Sequence, residues 1–414
     1  MVLPWFTDSA YQDRWPLEDS MEELSQLAKA ARLEVVGQER VNRDRPTPGL
    51  FLGKGKVEDL RVLARELTAD AVVFGEDLSS TQQRNLEDDL DKKVVDRTQL
   101  ILDIFAYRAR SREGKVQVEL AQLQYLLPRL AGKGIVLSRL GGGIGTRGPG
   151  EQKLEMDRRK IRLRIGRLTD ELQEIHNRRA VSRGKRHEEE IPTAALVGYT
   201  NVGKTTLLNA LTQADARAFD QPFTTLDPLA RRMILPTRQP VLLSDTVGFL
   251  HRLPHHLVEA FRATLEEVTE ADVLLHVCDA SSALLKEQSQ AVYEVLGLLQ
   301  AQEKPILTVM NKVDRLNAAS RQGLTRRFPE AVFVSALRGE GLTGFLDRLG
   351  SVLNRMMRMA SIRIPLGEER WLKRIYGEGQ VLDRKDQSQA ILLKARVPER
   401  LLGQLKKAGK VVPG

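Results

Sequence analysis

The chain has few of the residues and segments that form disulfides, metal sites or membrane spans in many proteins. It has one cysteine in 414 residues, which excludes an internal disulfide framework, and its six histidines show no metal-ligand spacing. No apolar run approaches the roughly 18 residues of a membrane span. The acidic side chains in its first 30 residues are unlike a signal or transit peptide. We therefore expect a monomeric, cytoplasmic protein without a membrane span.

Charge is abundant but unevenly distributed. A hydrophobic content of 42% and a charged content of 29% are typical of a globular protein, and the length predicts two to four domains. The net charge is +9, yet residues 107–167 alone carry 15 Lys and Arg against five acidic residues. A basic run is usually a solvated face, but this concentration beside a Gly-rich segment favours a phosphate-backbone partner.

A phosphate-binding loop follows the apolar run 194–197. It has the pattern G-x-x-x-x-G-K-T and consists of Gly198, Tyr199, Thr200, Asn201, Val202, Gly203, Lys204 and Thr205. The N–H groups of such a loop point at phosphate oxygens, Lys204 reaches the β- and γ-phosphates, and the Thr205 hydroxyl can bind Mg²⁺. The loop predicts a nucleoside triphosphate substrate and Mg²⁺ as cofactor.

Two later segments can complete the surroundings of Mg²⁺ and the γ-phosphate. The first consists of Phe223, Thr224, Thr225, Leu226 and Asp227, and the second of Asp245, Thr246, Val247 and Gly248. Asp245 ends an apolar strand and can hold Mg²⁺ through water, while the Gly248 N–H can contact the γ-phosphate. We predict catalytic roles for Lys204, Thr225 and Gly248, with Thr205 and Thr225 as metal ligands.

Two further segments specify the base. Asn311, Lys312, Val313 and Asp314 follow the buried strand 306–310, and Ser335, Ala336 and Leu337 follow the strand 332–334. A carboxylate at Asp314 can accept from the N1–H and N2 amine of guanine, and adenine lacks that amine. Each motif alone is common, but parallel sheets place ligands at the carboxyl ends of strands. Their order predicts a GTPase domain over residues 191–355, with a P-loop fold and a mostly parallel sheet.

Phe249 departs from the usual GTPase pattern. Many GTPases carry a glutamine directly after the D-x-x-G motif, where it orients the attacking water. Phenylalanine cannot do this, so a partner or another residue of the chain must supply the group. Asn201 resembles the residue with which one class of GTPases binds a monovalent cation beside the phosphates, and K⁺ stimulation is our hypothesis.

The N-terminal part predicts a small α/β domain over residues 1–140. A capping-box pattern at Ser20 and Glu23 predicts a helix to about residue 31, followed by a strand over 33–36. Residues 1–17 show no apolar run that would predict a strand there, so we expect none.

Residues 141–190 combine a Gly-rich loop with a helical linker. The loop matches G-x-G-x-x-G, but the apolar residues after it recur at heptad spacing on a long helix, which argues against dinucleotide binding. We expect the loop to approach a bulky partner, with Arg147 at its phosphates. Residues 356–414 predict a small α+β C-terminal domain, with a strand over 390–397 and a helix over 399–407. No chemistry follows from this last part.

Several motifs resemble the HflX family of ribosome-associated GTPases. They are Asp96-Arg97-Thr98, Arg108-Ala109-Arg110, Val118–Leu123, Gly142–Glu151 and the five GTPase segments. The resemblance implies binding of the 50S ribosomal subunit through ribosomal RNA, splitting of stalled or idle 70S ribosomes under stress, and Mg²⁺-dependent GTP hydrolysis that the ribosome stimulates. It implies no DNA partner. A ribosome-assembly or RNA-processing GTPase and a GTP-gated adaptor with little turnover remain alternatives.

Overall fold

A computed structural model gives the fold of the chain. It describes residues 1–6, 15–130, 149–188, 191–212, 222–223, 229–252, 254, 257, 261–355 and 357–412. The chain divides into two compact units. The first comprises Met1–His176, Gln221–Leu226 and Leu253–Phe261, and the second comprises Asn177–Asp220, Asp227–Arg252 and Arg262–Gly414.

The first unit begins with a small α/β assembly and continues into helices. Its strands are β1 (Val2–Phe6), β2 (Glu39–Arg43), β3 (Ala71–Val73) and β4 (Lys93–Val95). Its helices are α1 (Leu17–Ala30), α2 (Lys54–Glu66), α3 (Ser80–Leu90), α4 (Arg97–Arg108), α5 (Arg112–Arg129) and α6 (Pro149–Glu188), which continues beyond it. The pairs β1–β2 and β3–β4 are parallel, and a bridge between Val2 and Phe74 joins them.

Two strand predictions for this unit were wrong. A strand forms at β1, where we expected none, because Val2 and Leu3 are buried and the strand has a parallel partner in β2. Residues 33–36 are irregular instead of forming a strand, and Leu33 and Val36 are 40% and 50% exposed. The strand forms at β2 because that segment pairs with β1, a contact that the local pattern does not contain.

The capping box predicted at Ser20 and Glu23 is also absent. Helix α1 starts earlier, at Leu17, with Pro16 as its N-cap and no side-chain cap. Ser20 therefore lies inside the first turn, where its N–H donates to the Pro16 carbonyl. The Glu23 carboxylate instead forms a buried ion pair with Arg97 on α4. The earlier start of the helix thus explains why the capping box does not form.

Helix α6 confirms the long helix predicted from the heptad spacing. Its residue Leu168 is fully buried against Val116 and Leu120 of α5. Beside this apolar seam, Arg164 donates from Nε and Nη2 to the Glu119 carboxylate at 2.7 and 2.8 Å. The two helices are thus joined by packing and by a two-pronged ion pair.

A cluster of three phenylalanines joins distant parts of the chain within the first unit. The ring of Phe105 on α4 lies 4.5 Å from the ring of Phe223 and 4.6 Å from that of Phe261, both in edge-to-face geometry. The three residues are 1%, 2% and 5% exposed. Such rings bury large apolar areas and gain further from edge-to-face contact.

We predict that Phe105→Ala lowers the free energy of opening of α4 by about 3–5 kcal/mol, because it leaves a cavity between two rings. Hydrogen–deuterium exchange of α4 measures this. Tyr107→Ala on the same helix is the control, since Tyr107 is 58% exposed, and its effect should stay below about 1 kcal/mol. Equal effects of both substitutions would contradict a packed cluster.

The second unit is built on a six-stranded sheet in the order β10-β9-β8-β5-β7-β6. The strands are β5 (Thr193–Val197), β6 (Leu229–Ile234), β7 (Pro240–Asp245), β8 (Val273–Asp279), β9 (Ile306–Asn311) and β10 (Val332–Phe333). The helices are α7 (Lys204–Thr212), α8 (Arg262–Glu270), α9 (Leu285–Leu298), α10 (Ala318–Arg327) and α11 (Leu342–Arg355). Only the edge pair β6–β7 is antiparallel among these described strands. This is the mostly parallel P-loop fold that the motifs predict.

A four-stranded antiparallel sheet follows in the same unit. Its elements are β11 (Arg358–Pro365), α12 (Glu369–Glu378), β12 (Gln380–Asp386), β13 (Ala390–Val397), α13 (Glu399–Lys407) and β14 (Val411–Val412). The predicted strand over 390–397 and helix over 399–407 are confirmed, and the α+β character of this part with them. Its remaining strands and α12 were not predicted.

In the ranges that the structure describes, every helix is too short or too polar to cross a bilayer.

Candidate nucleotide-binding site

The phosphate-binding loop connects β5 to α7, and its two glycines occupy conformations that other residues rarely adopt. Gly198 has a φ of +156°, and a Cβ there would clash with the carbonyl oxygen of Val277 on β8. Gly203 has a φ of +92°, and a Cβ would lie 2.5 Å from the Asn311 amide nitrogen. The loop therefore packs closely against two strand ends, which leaves no room for side chains at these positions.

The Lys204 ammonium group is held by the loop itself. Its Nζ donates to the carbonyl oxygens of Gly198 and Tyr199 at 3.1 and 2.9 Å. Lys204 is buried, and burial lowers its pKa to about 8, against the opposing effect of the Asp245 carboxylate. An ammonium group has three donors, so two carbonyls fix its position and one donor remains for an anion.

Thr205 and Asp245 bring two oxygen ligands together. The Thr205 hydroxyl donates to Asp245 Oδ2 at 2.6 Å, between the start of α7 and the end of β7. Asp245 is fully buried. The next residue, Thr246, donates its hydroxyl to the Leu196 carbonyl at 2.6 Å, which ties the end of β7 to β5. A hydroxyl beside a carboxylate is the hard oxygen donor set that suits Mg²⁺.

Gly248 and Phe249 lie directly against the phosphate-binding loop. The Phe249 N–H donates to the Gly198 carbonyl at 3.1 Å, and the Thr200 N–H donates to the Phe249 carbonyl at 2.9 Å. A Cβ at Gly248 would lie 2.9 Å from the Thr200 Cα and 3.0 Å from the Lys204 Nζ. The Phe249 side chain is only 1% exposed. Its backbone therefore borders the loop while its ring is packed in the interior, away from solvent.

Asn311 and Lys312 connect the loop to neighbouring strand ends. The Asn311 amide donates to the Val202 carbonyl at 2.8 Å and accepts from the Ala336 N–H at 2.9 Å. The Lys312 ammonium donates to the Asn201 carbonyl at 2.7 Å and pairs with Asp279 at 2.8 Å. These two side chains thus use their polar groups to hold three segments in register.

Asp314 is oriented by the segment after β10. Ser335 is buried, and its hydroxyl donates to Asp314 Oδ1 at 2.6 Å. This hydrogen bond is the main cause of a lowered pKa for the Asp314 carboxyl. The nearby Leu337 is 79% exposed. An ionised carboxylate and an exposed apolar side chain can contact the edge and the face of a flat base.

The structure thus brings four of the five predicted segments together at the carboxyl ends of parallel strands. The members Thr224, Thr225, Leu226 and Asp227 of the fifth lie outside the described residues. Phe223, which precedes them, is described, and its ring packs against Phe105 in the first unit. Residues 141–148 of the Gly-rich segment, including Arg147, also lie outside the described residues, whereas Pro149 and Gly150 begin α6.

Several polar contacts around this site were not predicted from the sequence. Asp279 ends β8 and pairs with Lys312. The Tyr199 hydroxyl accepts from the His251 N–H at 2.9 Å, a second tie between the loop and the segment after β7. The position of Asp279 at the end of an apolar strand was a usable signal, whereas the Tyr199 contact depends on the fold.

Buried His276 and Cys278 on β8 lie behind the site. Burial, followed by the charge of Lys204, lowers the pKa of His276 to about 4, so the imidazole is neutral near pH 7. Its Nε2 lies 3.4 Å from the Cys278 sulfur. Burial raises the pKa of the Cys278 thiol to about 12, so the thiol stays protonated and unreactive near pH 7. Within the described residues, no cluster of histidine, cysteine and acidic side chains forms a metal site.

Comparison with known proteins covers nearly the whole chain. Residues 18–106 match the family model "GTP-binding GTPase N-terminal", residues 108–186 match "GTP-binding GTPase Middle Region", and residues 193–312 match "50S ribosome-binding GTPase". Among solved structures, a GTP-binding protein from Sulfolobus solfataricus in complex with GDP is 25% identical, with a TM-score of 0.44. The match covers 86% of this chain and 99% of that one.

Two relatives with substantial identity cover most of the chain. The GTPase HflX of Caldanaerobacter subterraneus subsp. tengcongensis is 46% identical over 380 residues, which are 92% of this chain and 88% of that protein. The GTPase HflX of Escherichia coli K12 is 40% identical over 386 residues, which are 92% and 90% of the two chains. The protein is therefore a P-loop GTP hydrolase that binds guanine nucleotides, and it belongs to the HflX family of GTPases.

Proposed function

We propose that this GTPase binds the large ribosomal subunit and dissociates stalled or idle 70S ribosomes in the cytoplasm. The observation that carries the proposal is the match of residues 193–312 to a model described as a 50S ribosome-binding GTPase. Full-length similarity to the HflX relatives extends that support to the parts outside the GTPase domain.

The basic segment supports a partner made of RNA. On α6, Arg159 and Arg167 are exposed, as are Lys160 and Arg162, which have acidic neighbours at 3.8 and 3.5 Å on the same helix. Such surface pairs are weak, so these cations stay available for a stronger anion. Phosphate groups of ribosomal RNA can replace these weak surface ion pairs, and the counterions released from the RNA favour binding. We assign RNA contacts to α6 and to the Gly-rich loop with Arg147.

The site residues fit GTP and Mg²⁺. We assign the phosphate oxygens to the loop N–H groups and to the remaining donor of Lys204, and the metal to Thr205, with Asp245 acting through water. Thr225 is assigned to complete the metal shell and sense the γ-phosphate. Bound Mg²⁺ supplies charge neutralisation at the phosphates. Lys204 then stabilises charge on the leaving phosphates, and the Gly248 N–H contacts the γ-phosphate.

Phe249 leaves the positioning of water to another group. Its ring is packed in the interior, so the function proposed here includes a water-orienting group supplied by the ribosome or by another segment of the chain. We also propose that Asn201 helps to bind K⁺ beside the phosphates. GTP turnover measured at equal ionic strength in K⁺ and Na⁺ buffers tests this point, and equal rates would remove it.

Phe223 anchors the start of the segment that is expected to sense the γ-phosphate. This residue directly precedes Thr224 and Thr225, and its ring is fixed against Phe105. Ordering of the threonine segment by a γ-phosphate would therefore act on an anchored neighbour. We propose that GTP fixes the ribosome-binding conformation in this way and that hydrolysis releases it.

The direct test is GTP turnover with and without purified 70S ribosomes, followed by sedimentation of the mixture with a non-hydrolysable GTP analogue. Stimulated turnover and conversion of 70S particles to subunits are expected with GTP or the analogue and not with GDP. Intact 70S particles together with binding to precursor subunits would establish the assembly alternative instead. Binding without any stimulated turnover would favour an adaptor.

A further inference from the structure

The C-terminal sheet has one covered and one open face. Its elements follow the order β-α-β-β-α-β, and its strands lie in the order β12-β13-β11-β14 with antiparallel pairing throughout. This is the split β-α-β arrangement of ferredoxin-like domains. Helices α12 and α13 cover one face, where Trp371, Ile375 and Leu401 pack on buried strand residues such as Ile362 and Leu393. The other face meets solvent.

Pairing register shows which side chains share the open face. Antiparallel residues directly opposite each other point to the same side of a sheet. Lys394 on β13 lies between Ser361 and Asp383, while Leu392 lies between Arg363 and Lys385. Ile362 and Leu393 point to the helices. Side chains alternate along a strand, so Lys394, Leu392 and the residues paired with them point to the open face.

Four cations dominate this open face. They are Arg363, Lys385, Lys394 and Arg396, and Asp383 is the one acidic residue among the paired positions beside them. Arg363, Lys385 and Lys394 are exposed and Arg396 is half-buried. Within the part of the chain that the structure describes, no ion pair neutralises these four side chains. Like charges on neighbouring strands repel each other, and a bound anion would reduce that repulsion.

The face is suited to a phosphate backbone and not to base stacking. RNA-binding domains of this general topology read bases by stacking them on aromatic side chains of the sheet. The four strand ranges contain no Phe, Tyr or Trp, and the exposed apolar residues there include Met359 and Leu382. A row of flexible cations without aromatic platforms binds through charge, and such binding depends on salt and not on sequence.

We infer that the open face of the C-terminal sheet, formed by Arg363, Lys385, Lys394 and Arg396, is an RNA-binding surface that contacts the phosphate backbone. The choice of RNA rests on the proposed ribosomal function, whereas the cationic face itself stands on the register and exposure given above. It adds an RNA contact in a part of the chain outside the ranges that match the three family models.

The test compares two double variants of the full-length protein. Lys394→Gln with Arg396→Gln removes two charges from the open face, and Lys406→Gln with Lys407→Gln removes two exposed charges from α13 as a matched control. Fluorescence anisotropy with a labelled 20-nucleotide poly(U) or poly(A) is measured from 50 to 300 mM KCl. The open-face variant should bind both RNAs about tenfold more weakly at low salt, with a salt slope reduced by about 1.4. The control should match the unmodified protein.

A second measurement uses the unmodified chain and does not depend on variant folding. RNA should protect Lys385 and Lys394 from acetylation and leave Lys406 and Lys407 reactive. Unchanged affinity, an unchanged salt slope or no protection would overturn the inference. The inference would also be overturned if the open-face variant kept its RNA affinity and lost binding only to anionic vesicles of phosphatidylglycerol and phosphatidylcholine. That outcome would identify a membrane as the partner.

The two proposals fail in different ways. If 70S ribosomes stay intact while the open-face variant loses RNA affinity, the splitting function fails and the RNA surface stands. If splitting occurs but RNA affinity and protection are unchanged, the RNA surface fails and the splitting function stands. Basal GTP turnover should be the same for both double variants, because none of the four residues belongs to the nucleotide site.

Discussion

Replacement of Lys204 by alanine is expected to lower kcat/KM for GTP by at least about 10²–10³-fold, the loss typical for removal of one preorganised donor at a developing negative charge. The ammonium group is buried and fixed by the Gly198 and Tyr199 carbonyls. It therefore reaches a bound phosphate without having to be ordered at that moment. The pKa of about 8 leaves most of these amines protonated near pH 7.

Steady-state turnover and nucleotide affinity, measured separately, distinguish a loss of catalysis from a loss of GTP binding. Lys204→Met keeps much of the apolar stem and removes the charge, so it should lose as much activity as Lys204→Ala. Lys286→Ala, at an exposed position on α9, is the control and should retain full turnover. Hydrolysis retained in both Lys204 variants would show that the phosphates bind elsewhere, and our assignment of the site would then be wrong.

Contiguous motifs made the arrangement of the candidate site predictable from the sequence. Lys204, Thr205 and the glycines lie within a single loop, and Asp245, Asn311 and Asp314 lie at or just after the ends of apolar strands. The sheet then brings these strand ends together because parallel strands share one carboxyl edge. Contacts between residues far apart in the chain were not predictable in this way. Arg97 pairs with Glu23, which is 74 positions away, and this contact could not be read from the local pattern that predicted a capping box there.

The C-terminal domain also has features that the local sequence predicts and one feature that it does not. Strand β13 was predictable because its apolar residues alternate, and α13 because it follows Pro398. The cationic face was not, since Arg363, Lys385 and Lys394 are scattered in sequence and meet only through the strand register. Composition had placed the excess positive charge in residues 107–167, where Arg112 and Arg164 in fact pair with acidic residues.

The second large effect is expected on nucleotide affinity, when the residue assigned to base recognition is replaced. Asp314→Asn should lower GTP and GDP affinity by about 10²–10⁴-fold, since two hydrogen bonds to a charged group contribute roughly 1.5–3 kcal/mol each. The Asp314 carboxylate is held by the Ser335 hydroxyl at 2.6 Å and stays ionised, so its oxygens are pure acceptors for the N1–H and N2 amine of guanine. An asparagine side chain has one oxygen acceptor and one amide donor, so it removes the negative charge and places a donor opposite the guanine N2 amine.

Xanthine nucleotides turn this substitution into a gain of function. Xanthine carries a carbonyl where guanine has the N2 amine, so the side-chain amide introduced by Asp314→Asn can donate to that oxygen and still accept from N1–H. The affinity of this variant for xanthosine diphosphate should approach that of the unmodified protein for GDP, and such binding would also show that the variant is folded.

Ser335→Ala tests the support of the same carboxylate. We expect a loss of about tenfold in GDP affinity, because the Asp314 carboxylate loses its orienting hydrogen bond. Calorimetric titration with GDP, xanthosine diphosphate and ADP decides the matter, and an Asp314→Asn variant that still prefers GDP would place the base away from Asp314.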